Sequence, residues 1–382
     1  MKELLSFFTG HLKRVDKVLP VICLVITAFD IFLVNSMCET GFLLPRFVKT
    51  QFIAAVLGIC AAVVISFFDY KFISKMWFVL APIGVILQLL VWSPIGVQRD
   101  DDTAWLQIGG ENGFTIQPAE ILKFVFIITL ATHISKLGDK INSLPHLLLV
   151  CAHGLFPVAL IVIQGDAGSA LVFLFIFAAM LFMAGISWKY IVVAIAAVPP
   201  VVYVAWNYVM KDHHRLRFLV LFDEEIRKEQ ERIVYYQQNQ GQMALGSGQL
   251  TGLGFDRDNF AVTHIPEVGN DMIFSYIGMT MGFIGCVAVV IALASLCLKL
   301  LSNASGASDQ LGRLICVGVF ALILFHCVIN IGVVLSVMPV MGIPLPFIST
   351  GGTSMIMMHA YIGLVLSVSS HKEKAKHMFY EE

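Results

Sequence analysis

Charge is what this sequence has least of. Only 13% of its 382 residues are Asp, Glu, Lys or Arg, where a soluble domain carries about 25%. In their place 58% are hydrophobic and the mean hydropathy is +0.83. This excludes a soluble enzyme held by one anchor and indicates a polytopic membrane protein. A net charge of −1 leaves no basic excess for a phosphate backbone, so nucleic acid is excluded as a partner. None of the eight cysteines stands in a C-x-x-C pair, and nearly all lie in apolar runs. A zinc site and a disulfide framework are therefore not indicated. The basic residues Lys13, Arg14 and Lys17 precede an apolar run that reaches about Val34, with no A-x-A site after it. That run is too long for a signal peptide and reads as a retained first helix. No internal repeat of the kind found in many secondary transporters is evident.

A membrane-crossing helix needs about 20 mostly apolar residues. The runs predict ten, near 18–37, 50–69, 74–93, 117–136, 144–164, 168–186, 188–209, 272–299, 312–337 and 352–370. The predicted fold is an all-α polytopic membrane protein, a single domain over 1–382, with a large extracellular loop at 210–271 between helices seven and eight. A second polar loop, 93–116, carries the acidic run Asp100, Asp101 and Asp102. With the N-terminus inside, fourteen basic residues lie in cytoplasmic segments, from Lys2 to Lys372, Lys374 and Lys376. The short outer loops hold three, Arg46, Lys49 and Arg99. This asymmetry places both termini in the cytoplasm and the long loop outside. ATP is absent there, so a reaction on that face needs a substrate that carries its own energy.

The long loop opens with Arg215 and Arg217, beside His213 and His214. Arginine offers a fixed fork of donors that suits phosphate, and equally anchors at lipid headgroups. Residues 223–232 read as a solvated helix. Four glycines, Gly246, Gly248, Gly252 and Gly254, permit tight turns, but no G-K-S/T follows, so this is not a nucleotide loop. Glu267 and Asp271 lie where the chain re-enters the membrane. A carboxylate at such a half-dry boundary has its pKa raised by desolvation, which suits a general base; from position alone Asp271 also fits a helix cap.

Gln117, Pro118, Glu120 and Lys123 open the fourth helix. Glu120 and Lys123 share a face, and a charge at such depth is expensive. They read as a pair or as lining for a wet cavity; a cap plus a snorkelling lysine is the structural alternative. Asp166 reads as a helix cap or a loop-ordering acid, and Asp30 as structural. His153, His326 and His359 read as packed helix residues. The stretch from Pro339 to Gly352 is too rich in proline and glycine for a regular helix. At membrane depth it needs protein or water around it, so it reads as a segment shaping the outer cavity.

Several of these runs together resemble the SEDS family (shape, elongation, division and sporulation), which includes RodA, FtsW and SpoVE. W-L-Q-I-G from Trp105 and Q-P-A-E-I-L-K from Gln117 resemble its W-I/L-x-x-G and Q-P-S/A-E-x-x-K. D-A-G-S-A at Asp166 resembles D-x-G-T/S-A. The run from Tyr236, with Gln240 and Ser247, resembles Y-Q-x-x-Q-S-x-x-A-I-G-S-G. The tail with Pro346, Ser349, Gly351 and Gly352 resembles P-L-P-F-I/V-S-x-G-G-S/T-S. The short tails place it nearer a RodA or SpoVE type member.

The resemblance implies a peptidoglycan glycosyltransferase of the bacterial plasma membrane. It would polymerise lipid II, a disaccharide peptide on undecaprenyl diphosphate, beside a class B penicillin-binding protein transpeptidase. The family's essential acid lies in P-E-x-H-T-D-F-I-F and falls on Asp271. Its His-Thr pair is Gly269-Asn270 here, and a later G-E-E is Gly278-Met279-Thr280. The implied substrate-binding residues are Arg215, Arg217, Lys123, Glu120, Gln117 and Glu267. Asp166, Gln240, Ser247, Pro346, Ser349, Gly351 and Gly352 would order the loops. No cofactor is required; a divalent cation (Mg or Mn) is admissible, with Asp166 its candidate ligand. The rival readings are a lipid II flippase and a non-catalytic scaffold.

Overall fold

The computed structural model describes residues 15–99, 102–108, 114–260, 262 and 264–370. Asp100, Asp101, Gly109, and the basic residues Lys2, Lys13, Arg14, Lys372, Lys374 and Lys376 lie outside the described residues.

The apolar runs form helices as the sequence predicts. Among the described residues, eight helical segments are long and apolar enough to cross a membrane, and two shorter ones, Trp77–Trp92 and Ala167–Met183, bring the series to ten. The crossing helices are α1 (Val18–Glu39), α2 (Arg46–Phe67), α4 (Trp77–Leu89), α5 (Pro118–Leu137), α6 (Leu144–Ile163), α7 (Ala167–Met183), α8 (Trp188–Val204), α12 (Ile273–Ser305), α13 (Gln310–Val334) and α14 (Gly352–Ser370). The third predicted span is interrupted: a short helix α3 (Tyr70–Lys75), capped by Asp69, turns at Met76 into α4.

Two polar stretches have more structure than their composition suggests. The 93–116 loop is a three-stranded antiparallel meander, β1 (Gly96–Arg99), β2 (Asp102–Ile108) and β3 (Phe114–Ile116). The chain is thus helical with one small sheet. The long loop contains α9 (Asp212–Phe222), α10 (Glu224–Glu229) and α11 (Tyr236–Ser247). Helix α10 is the solvated segment the sequence predicts: Asp223 caps it, and its exposed Lys228–Glu224 pair is 3.0 Å apart.

Helices α5, α13 and α14 form the buried centre of the bundle. Helix α8 buries none of its residues, leaving an apolar surface on every side. Ten helical segments return the first and last described residues to one end. There Asp16 pairs with Lys299 at 2.7 Å, and Lys71 with Asp309 at 3.0 Å. The long loop and the meander lie at the opposite end.

Helix α12 is broken near that loop end. Gly282 has φ 64° and ψ −164°, outside helical geometry. Its freed amides are taken up by the glycine-rich run after α11. Phe283 N donates to the Gln249 carbonyl at 2.8 Å, while Leu253 N and Gly254 N donate to the Met279 and Thr280 carbonyls at 2.9 and 3.0 Å. A Cβ at Gly282 would stand 2.3 Å from the Gly252 nitrogen, so only glycine permits this approach. A broken membrane helix persists where such partners satisfy its backbone. The glycine motif is therefore a plug in a helix kink.

Candidate functional site

Asp271 lies on the turn that leads into α12, and its residue surface is 3% exposed. It does not cap the helix: Met272 holds the cap position, without a side-chain bond. Its Oδ1 instead accepts from the Gln237 side-chain amide on α11 at 2.8 Å. Burial pushes the Asp271 carboxyl up to about 7, and the neighbouring Glu267 charge adds to the rise. The Asp271 backbone amide, the Arg217 charge and the Gln237 amide pull it down. An acid with a pKa near the working pH is suited to taking a proton and releasing it.

The turn itself is held by the Pro/Gly stretch, which is non-helical and almost wholly buried from Ile343 to Thr350. Ser349 Oγ donates to the Asn270 carbonyl at 2.6 Å. Thr350 donates its backbone N–H to the Gly269 carbonyl at 2.6 Å, and its hydroxyl to the same oxygen at 2.9 Å. Asn330 on α13 bridges the carbonyls of Asp271 and Ile343, at 3.2 and 2.9 Å. From the other side, Gln51 on α2 donates to the Ser349 carbonyl and the Asp30 carboxyl, and accepts from Gly351 N. Asp30, Gln51 and Ser349 thus form one polar thread to the acid-bearing turn. Glu267, at φ 49°, is exposed at the rim, where Asn270 Nδ2 holds its Oε2 at 2.5 Å.

Two arginines were predicted for the site, and they part company. Arg217 donates to the Val340 carbonyl at 3.3 Å and places its charge near Asp271. Arg215 turns to Asp212 and the Asn207 carbonyl, at 3.3 and 3.2 Å. Glu120 and Lys123 are enclosed: their side chains, each 2% exposed, meet at 2.5 Å. Among the described residues, Glu120 Oε2 and His326 Nε2 are buried without a hydrogen-bond partner. Gln117 donates to Asp166 Oδ2 at 3.3 Å, while Asp166 Oδ1 caps α7 through Ser169 N at 2.8 Å. No group of three His, Cys, Asp or Glu side chains among the described residues is arranged to hold a metal ion. Gln240 is half-buried on α11, Ser247 bonds back to the Ala244 carbonyl, and Pro346 is buried in the Pro/Gly stretch. Gly351 and Gly352 are half-buried at the start of α14.

Sequence reasoning missed Gln237, Asn330, Gln51 and Thr350. The one available signal was the pair of neighbouring glutamines after Tyr236: Gln237 reaches Asp271, and Gln238 donates to the Val333 and Met338 carbonyls at 3.1 and 2.9 Å.

The fold and site define a polytopic helical membrane protein with a buried, partnered acid at one mouth of its bundle. The chain belongs to the FTSW_RODA_SPOVE family, described as a cell cycle protein, whose profile matches residues 16–374. It is 29% identical over 376 residues to a probable peptidoglycan glycosyltransferase FtsW of Geobacter sp. (strain M18), covering 94% of this chain and 98% of that one. It is 27% identical over 289 residues to the peptidoglycan glycosyltransferase MrdB of Escherichia coli K12, covering 75% and 76%. Among solved structures, it resembles a chain of a peptidoglycan synthase complex studied for its coordination of polymerization and crosslinking. The TM-score is 0.80 with 25% identity, over 96% of this chain and 99% of that one. The fold is also shared with the rod shape determining protein RodA of Thermus thermophilus, at TM-score 0.69 and 23% identity over 94% and 97%.

Proposed function

We propose that this protein is a peptidoglycan glycosyltransferase that polymerises lipid II at the outer face of the bacterial plasma membrane, with both termini cytoplasmic. The observation that carries the reading is Asp271: buried, held by an amide, and pushed to about 7. The names of relatives aligned along nearly the whole chain support the same activity.

The donor sugar of lipid II is linked α to a diphosphate, so the leaving group is already activated. The acceptor GlcNAc 4-hydroxyl attacks the anomeric carbon of the donor MurNAc. Asp271 takes the hydroxyl proton, the C–O bond to undecaprenyl diphosphate breaks, and a β-1,4 bond results from a single inverting displacement. Holding the two sugars in line supplies much of the acceleration. Arg217 is the cation placed to meet the diphosphate as its charge develops. Glu120 and Lys123 form an enclosed pair. The partner is a class B penicillin-binding protein transpeptidase, a reading supported by the similarity to the synthase complex chain. The activity named for relatives aligned along the chain favours a polymerase over a flippase.

The test is lipid II polymerisation by the purified chain in detergent without ATP, where no transport exists. Glycan strands are expected; their absence from folded protein, alone and with its transpeptidase, would overturn the reading.

A further inference from the structure

We propose that Gln237 is a positioning residue for this reaction: its side-chain amide, delivered by an anchored helix α11, fixes the Asp271 carboxylate for proton transfer. The inference rests on the reading of Asp271 as the base.

Helix α11 is fastened at several points around Gln237. Gln238 donates to the carbonyls of Val333 and Met338, tying the helix to the end of α13 and the start of the Pro/Gly stretch. One turn on, a Cβ at Gly241 would stand 2.8 Å from Ser275 Oγ and 3.0 Å from Met272 Sδ, so α11 lies directly on the start of α12. Tyr235 OH donates to Gln242 Oε1 at 3.0 Å, and the Arg227 guanidinium stacks over the Tyr235 ring. The Gln237 amide therefore reaches Asp271 from a seated helix, across 34 residues of sequence.

The chemistry of an amide suits the task. Nε2 donates but takes up no proton at working pH, so it orients the acid without competing for its proton. Bonding to Oδ1 leaves Oδ2 for the acceptor hydroxyl. A donor on the carboxylate favours its charged form, opposing burial and the like charge of Glu267 on the same turn. Arg217 from α9 acts in the same direction through its charge, while Asn330 from α13 and Ser349 and Thr350 ahead of α14 hold the backbone of the turn and, through the Thr350 hydroxyl, the Asn270 side chain. Gln237 holds the reacting group itself.

The experiment measures kcat and KM for lipid II polymerisation against pH, using the full chain with Gln237→Leu, Gln237→Glu and Asp271→Asn. For Gln237→Leu, the acid limb of the kcat profile should move up by about one pH unit, giving about tenfold less activity below it, with KM within about twofold. Gln237→Glu keeps the shape but replaces the donor with a second carboxylate, and should move the limb further up. It also serves if the leucine variant fails to fold. A uniform fall in kcat with an unmoved limb in the folded variants would mark a purely structural role and overturn the proposal. Wild-type kcat and pH profile would overturn it too. If Gln237 variants behave as wild type while Asp271→Asn is inactive, the Gln237 proposal alone fails. If Asp271→Asn polymerises normally, the base reading fails as well.

Discussion

Thr350 fills the space that a side chain at Gly269 would need. Its N–H and hydroxyl both donate to the Gly269 carbonyl, at 2.6 and 2.9 Å, and a Cβ at Gly269 would stand 2.6 Å from Thr350 Oγ1. The resembling motif has histidine where Gly269 stands. Here the turn is fastened instead from the neighbouring segment. Gly269→His is expected to overpack the turn, destabilising the protein by about 1–3 kcal/mol and lowering polymerisation. Gly269→His with Thr350→Gly should recover part of both losses. Melting temperature and glycan synthesis in detergent check this; a neutral single substitution would contradict it.

The base must be deprotonated to act, so kcat/KM should rise with pH through about 7 in the free enzyme. Glu267→Gln removes a like charge and should move this limb to lower pH. Arg217→Met removes an opposing charge and should move it to higher pH. Each shift should be about 0.5–1 unit, below the full effect of burial. Initial rates from pH 5.5 to 9 measure it; shifts of the opposite sign would contradict the electrostatic account.

Glu120 and Lys123 are a buried pair at 2.5 Å with almost no solvent. Removing one partner strands the other. Lys123→Met should destabilise by about 3–5 kcal/mol, while Lys123→Met with Glu120→Gln should recover much of it. Thermal unfolding in detergent decides. Equal losses in the single and double variants would show that pairing is not what stabilises this site.

The Asp30–Gln51–Ser349 thread predicts a long-range effect. Gln51→Leu strands the Asp30 carboxyl and the Ser349 carbonyl, whose partner Gln51 is. An unsatisfied buried polar group costs about 1–3 kcal/mol. The loosened Ser349 also holds Asn270, one residue before the acid. Both stability and kcat should fall, with KM little changed. A kcat equal to wild type in the folded variant would separate this thread from the site.

Much of this architecture was legible in the sequence because hydropathy reports burial in lipid directly. The ten apolar runs, the long polar loop and Asp271 at its end all follow from that signal. The break at Gly282 did not, since the apolar run continues through it and the glycine plug comes from thirty residues earlier. The meander in 93–116 was hidden because its strands are short and pair only with one another. For another reason Gln237, present only within a motif, and Thr350 were not singled out. An amide and a hydroxyl carry no charge signature, and their partners lie 34 and 81 residues away. Contacts of that kind exist only once the helices have packed.

The most direct test of the central claim is lipid II polymerisation by purified Asp271→Asn beside the native chain. A carboxyl raised from 3.8 to about 7 keeps its proton in the fold where the unfolded chain has lost it. Its contribution to stability therefore falls as pH rises across that window. The asparagine variant should accordingly melt at or above the native chain at pH 8, and should make no glycan. A folded Asp271→Asn protein that polymerises lipid II at the native rate would contradict the account.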